Sequence, residues 1–209
     1  MTKYLISTLL LSAIVAGCSH QKTSHTIDAT QQNAKQQGTE TVRLPNEKFY
    51  GKMTAIKYRL ANGLKLVVIE DHSSPTFSYQ TWFNVGSRDE QVGLTGLAHL
   101  FEHMMFKATK NRPDGMFDRM LEEAGAQNEN AFTNRNYTAY VQSLPKDKLE
   151  MIVSLEADRM VNLIVDKAAL DKERDVVKNE RRMRTENSPD GTMYEKIYEL
   201  AFTKHPYHW

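Results

Sequence analysis

In the stretch TGLAHLFEHMMFK, residues 95–107, the apolar residues Leu97, Leu100, Phe101, Met104 and Met105 recur at the spacing of one buried helix face. His99, Glu102 and His103 fall on the opposite side. Such a helix has to bury its apolar stripe against a second layer, and it leaves ionisable groups where chemistry can use them. Thr95 stands where an N-cap is expected, with the helix running to about Lys107. Two histidines one turn apart can bring imidazole nitrogens to a single metal ion. Glu102 beside them need not ligate. A free carboxylate there can take a proton from an attacking water and return it to a leaving amine. His-x-x-Glu-His is the reverse of the common zinc-protease helix motif, the inverzincin pattern.

A catalytic zinc takes three protein ligands and keeps one position open, so a third ligand has to come from elsewhere in the chain. Residues 167–186 read as a charged helix carrying Glu173, Asp175 and Glu180, with the two glutamates two turns apart on one face. Either glutamate can ligate while the other orients a histidine. Spacing alone does not choose between them, and taken singly each carboxylate also suits a solvated helix face.

The remaining chain alternates strand and helix signals. Ala55–Leu60 and Leu64–Glu70 flank Asn62-Gly63, a hairpin signal, and residues 76–85 form a third strand rich in Thr, Tyr, Phe, Trp and Val. Pro113-Asp114 opens a helix to about Ala124, Asn130–Thr133 and Tyr137–Ser143 read as paired strands, and helical stretches follow near 146–163, 167–186 and 191–203. This order predicts an α+β fold with helices packed on an antiparallel β-sheet. A formal charge of +1 leaves no basic field for nucleic acid, so no nucleic-acid partner is expected. One cysteine excludes an intrachain disulfide and a zinc site built from several thiolates.

Residues 1–17 have the form of a signal peptide: Lys3, an apolar stretch from Leu5 to Val15, then small residues. That stretch is shorter than the roughly 20 apolar residues of a spanning helix. Val15-Ala16-Gly17-Cys18 resembles a bacterial lipobox, which implies cleavage before Cys18 and its acylation. Ser19 at the next position favours the outer membrane by the same resemblance. Residues 18–46, rich in Gln, Thr and Ser, are expected to be a disordered tether, with His20 and His25 solvated in it, and residues 47–209 the folded domain. The expected place is the bacterial cell envelope, facing the periplasm and anchored to the membrane through lipid.

Three runs carry a further resemblance: GSRDEQVGLTGLAHLFEHMMFKAT from Gly86, NAFTNRNYTAY from Asn130 and ERDVVKNE from Glu173. In that order they resemble the pitrilysin/insulinase family of zinc metallopeptidases, and Glu180 follows His103 at the family's usual interval. The resemblance implies that His99, His103 and Glu180 bind one Zn2+, that Glu102 is the general base, and that Glu173 supports the site from behind a ligand. It implies also that Asn130 and Ala131 hold a peptide substrate as an added β-strand, with Asn130 bonding its backbone.

Family members have a second homologous domain or a partner subunit that supplies an Arg/Tyr pair. The sequence stops at Trp209, where the family's first domain would continue, so an N-terminal piece of a longer protein is expected. His205 and His208 read as loop residues, with a weaker alternative as substitute ligands. The alternative function is a non-catalytic zinc- or peptide-binding partner subunit. A lyase resembling S-ribosylhomocysteine lyase shares the helix motif but relies on a cysteine near its metal, and the only cysteine here lies in the signal region.

Overall fold

The computed structural model describes residues 40–209, which divide into two units meeting at Glu70 and Asp71. The signal peptide, Cys18, His20, His25 and the tether up to residue 39 lie outside the described residues. Among the described residues no helix is long and apolar enough to cross a membrane. The chain is α+β, with two three-stranded antiparallel sheets and five α-helices among the described residues.

The first unit is a meander of β1 (Val42–Lys48), β2 (Thr54–Arg59) and β3 (Lys65–Ile69). Asn62-Gly63 turns the second hairpin as expected. Gly63 takes φ +89°, which glycine adopts without steric cost, and Asn62 Oδ1 accepts from the Leu64 amide at 3.1 Å. β1 corrects the tether boundary, because the strand begins at Val42, inside the stretch expected to be disordered. Pro45 falls between Leu44 and Glu47, where the register of β1 on β2 shifts. Proline has no amide to give the ladder, so a bulge on an edge strand is where it is tolerated.

In the second unit β4 (Thr76–Phe83), β5 (Gln127–Thr133) and β6 (Thr138–Pro145) form a sheet of order β4-β6-β5. The helices are α1 (Leu97–Met104), α2 (Met116–Glu123), α3 (Leu149–Asn162), α4 (Lys167–Arg181) and α5 (Pro189–Ala201). Phe117 and Leu121 of α2 and Ile152 and Leu155 of α3 meet Leu144 of the central strand in one buried cluster. Each such side chain contributes about 1.5–3 kcal/mol on burial. Beneath Tyr140, the 1% exposed Glu156 and Arg159 pair within α3. Thr81 and Gln142 donate to the Glu156 carboxylate, and the Arg159 guanidinium lies 4.3 Å from the Tyr140 ring centroid, so this buried charge pair is extensively hydrogen-bonded.

Two helix boundaries differ from expectation. Thr95 does not cap α1; the N-cap is Gly96 at φ +90°, which has no side chain to offer. Glu90 reaches over instead, accepting from the Gly96 amide at 2.8 Å and the Ala98 amide at 2.7 Å. A carboxylate on the first-turn amides satisfies orphan donors and complements the helix dipole. The stretch 167–186 is helical, but its last part, Arg182–Glu186, is a π-helical turn.

Candidate metal centre

α1 contacts α4 as well as strands β5 and β6, so its polar side is not a solvent face. Glu102 is 7% exposed, whereas Phe101, expected on the buried stripe, is 46% exposed. The stripe narrows to Leu100 and Met104 because the helix is covered from a second direction as well. The expectation of a single apolar face is corrected here: Glu102 is buried and Phe101 is not.

On that covered side, His99 Nε2 and His103 Nε2 stand 3.1 Å apart. Glu180, brought in by α4, places Oε2 at 3.6 Å from His99 Nε2 and 3.9 Å from His103 Nε2. One turn-pair earlier on the same helix, Glu173 Oε1 lies 2.9 Å from His103 Nδ1, and its other oxygen takes Lys107 Nζ at 2.8 Å. Glu173 therefore fixes the His103 tautomer with the proton on Nδ1, which turns the Nε2 lone pair toward His99 and Glu180. The two glutamates that spacing left interchangeable are thereby separated: Glu180 faces the ring nitrogens and Glu173 backs the imidazole.

Whether these groups fit a cation is answered by Glu180. Its Oε2 is buried without a hydrogen-bond partner, and Arg184 Nη1 stands 3.5 Å off without bonding it. A buried carboxylate oxygen that receives no hydrogen bond, with only the distant charge of Arg184 beside it, is costly, and a cation between it and the two imidazole nitrogens would relieve that cost. Tetrahedral zinc with ligands at about 2.0–2.2 Å separates them by roughly 3.3–3.6 Å, and the spacings here, 3.1, 3.6 and 3.9 Å, straddle that range. The ligand-type atoms of His99, Glu102 and His103 also lie within 4.8 Å of one another, so proximity alone would admit Glu102 as a ligand. The two carboxylates differ in their hydrogen bonding: Glu102 Oε2 accepts from the Thr133 hydroxyl at 2.5 Å, whereas Glu180 Oε2 has no hydrogen-bond donor.

The electrostatics agree. Burial pushes the His99 pKa down, with the carboxylates of Glu102 and Glu180 opposing, which favours the neutral ring that a metal requires. Burial would raise the Glu173 carboxyl, but hydrogen bonds from Lys107 and His103 outweigh it and hold the group below its ordinary value.

The other expected residues fall as follows. Asn130 and Ala131 lie on β5, the edge strand of the second sheet, with Asn130 exposed and its Oδ1 accepting from the Ala131 amide at 2.9 Å. Asp175 is exposed on α4 and outside the cluster. His205 accepts from the Tyr207 amide and His208 contacts the Glu199 carbonyl, each at 3.2 Å, so both are engaged locally. Sequence reasoning did not single out Thr133, Lys107 or Glu90. All three sit in or beside the motif runs, and Glu90, an acid shortly before an apolar-periodic stretch, carried a readable capping signal.

The model for the insulinase family, Peptidase family M16, matches residues 65–208, and the chain belongs to that family. The zinc protease PqqE of Helicobacter pylori is 36% identical over 151 residues, covering 72% of this chain and 34% of that protein. Cytochrome b-c1 complex subunit 1 of the rat is 36% identical over 148 residues, covering 70% of this chain and 30% of that subunit. Among solved structures, a protease from Helicobacter pylori superposes with a TM-score of 0.72 at 35% identity, over 74% of this chain and 37% of that one. The chain thus spans about a third of the length of these relatives.

Proposed function

We propose that the protein is a zinc-dependent endopeptidase that hydrolyses extended peptides or unfolded segments, with His99, His103 and Glu180 holding one Zn2+ and Glu102 as the general base. The observation that carries this reading is Glu180 Oε2, buried without a hydrogen-bond donor beside two imidazole nitrogens, while one Glu102 oxygen is held by Thr133. When bound, zinc supplies Lewis acidity, polarising the scissile carbonyl and making water a competent nucleophile near neutral pH.

The protein's own groups do the rest. Glu102 accepts the proton of the attacking water and delivers it to the leaving amine. Glu173 keeps His103 in the ligating tautomer and is itself held by Lys107. The outer edge of β5 offers a backbone ladder on which a peptide adds as a strand, with Asn130 and Ala131 at its centre, a mode that selects extended chains. A second homologous domain or partner subunit completes the substrate cleft. The leader sequence supports placement in the bacterial envelope, lipid-anchored through Cys18 and facing the periplasm.

The test is Glu102→Gln. The variant should bind zinc as the parent does and lose peptide hydrolysis by about 10²–10⁴-fold; retained hydrolysis removes Glu102 from its role. Similarity to a cytochrome b-c1 complex subunit favours a second reading, a non-catalytic partner that binds zinc or peptide. That reading predicts zinc binding without turnover even when the second domain is supplied.

A further inference from the structure

We infer that Thr133 is the positioning residue of Glu102: its hydroxyl ties one carboxylate oxygen and fixes which oxygen faces the reaction. The inference rests on the assignment of Glu102 as general base. Thr133 Oγ1 lies 2.5 Å from Glu102 Oε2 and 3.0 Å from Thr138 Oγ1. Each hydroxyl has one proton. Thr138 gives its own to the Val85 carbonyl at 3.0 Å, so toward Thr133 it can only accept. Thr133 must therefore choose between the Thr138 oxygen and the Glu102 carboxylate. The carboxylate is the stronger acceptor, and the shorter distance matches a charge-assisted O–H···O⁻ bond. With Oε2 committed, Oε1 is the oxygen left to take the water's proton.

Thr133 can serve this purpose because it is itself immobilised. It ends β5 at the start of a hairpin turn held from two directions. The Ser87 and Arg88 amides donate to the Asn134 and Arg135 carbonyls, both at 3.0 Å. The Arg135 guanidinium lies 3.4 Å from the Tyr198 ring centroid and donates to Tyr194 Oη at 3.2 Å. Tyr140, 2% exposed, donates to the Glu102 carbonyl at 3.4 Å and steadies the backbone beneath the same side chain. A first contact locked by its own supports is what precise placement of a catalytic carboxylate requires.

Thr133→Val removes the hydroxyl at nearly constant volume, Thr133→Ala removes it without steric demand, and Thr133→Ser restores it. Two readouts apply to the full chain, with and without one equivalent of zinc. In protein labelled at the glutamate carboxyl carbon, the Glu102 resonance is identified by its absence from Glu102→Gln. It should keep its position in Thr133→Ser and move and broaden in Thr133→Val and Thr133→Ala. In peptide hydrolysis, the Val and Ala variants should lose about 10- to 100-fold in kcat, with KM and zinc stoichiometry within twofold of the parent, and Ser should recover most of the loss. A Glu102 resonance unmoved by both Val and Ala, or a loss carried by KM, overturns the inference. A parent that cleaves nothing even with the second domain or partner subunit supplied, while the resonance behaves as described, overturns the peptidase assignment and leaves the Thr133 to Glu102 bond standing.

Discussion

Glu173 grips His103 from behind, its Oε1 2.9 Å from the imidazole Nδ1, while Lys107 neutralises its other oxygen at 2.8 Å. The contact does two things at once: it sets the tautomer of one ligand and ties α4, the helix that bears Glu180, to α1. Glu173→Gln keeps a carbonyl acceptor and removes the charge, and should weaken zinc binding by about 10- to 100-fold without unfolding the chain. Competition with a chelator of known affinity measures it; unchanged affinity shows that the carboxylate contributes only packing.

Gly86 is seated directly under the hairpin that carries Thr133. A Cβ built there would stand 2.4 Å from the Asn134 carbonyl oxygen and 2.6 Å from the Arg135 carbonyl carbon, both backbone atoms that cannot step aside alone. Gly86→Ala should therefore cost about 1–3 kcal/mol in urea denaturation and lower kcat through the displaced turn. Wild-type stability together with wild-type kcat contradicts the claim that this hairpin is rigidly placed.

Asp158, at the end of α3, is the knot of the loop after α1. Its carboxylate accepts from Thr109, Asn111 and Arg112, each at 2.5 Å, and from Asn162 at 2.8 Å. Burial acts to raise its pKa, and these four hydrogen bonds overcome that and hold it well below the carboxylate range. A group depressed in the folded state stabilises the protein above its unfolded pKa of about 3.9, and that contribution fades as pH falls below it toward the folded value. Asp158→Asn should cost about 2–4 kcal/mol at pH 6 and about 1 kcal/mol less at pH 3, as read from urea midpoints. A cost equal at both pH values rules out the carboxylate charge as its source.

Much of this arrangement was legible in residues 95–107 and 173–180, because a helix period and a metal-ligand spacing are local properties. So was the Asn62-Gly63 turn, which a single dipeptide determines. What failed to show depended on long-range contacts. β1 read as tether because an exposed edge strand needs little apolar sequence, and its first residues share the polar composition of residues 18–46. Glu90 outcompetes Thr95 as the cap because the loop folds back to present a full charge to the first-turn amides. Phe101 and Glu102 exchange their expected environments because β5 and α4 close over the helix from the polar side. Spacing could not tell Glu173 from Glu180; the fold separates them, because Glu173 meets His103 Nδ1 whereas Glu180 stands beside His99 Nε2.

The central claim is that one zinc ion sits among His99, His103 and Glu180 while Glu102 stays off the metal. Anomalous difference density at the zinc edge, collected on parent, Glu102→Gln and Glu180→Gln crystals grown with equimolar zinc, tests it directly. The account predicts one peak bounded by His99 Nε2, His103 Nε2 and Glu180 Oε2, kept in Glu102→Gln and lost or much reduced in Glu180→Gln. No peak in the parent, or a peak that survives Glu180→Gln and vanishes in Glu102→Gln, contradicts it.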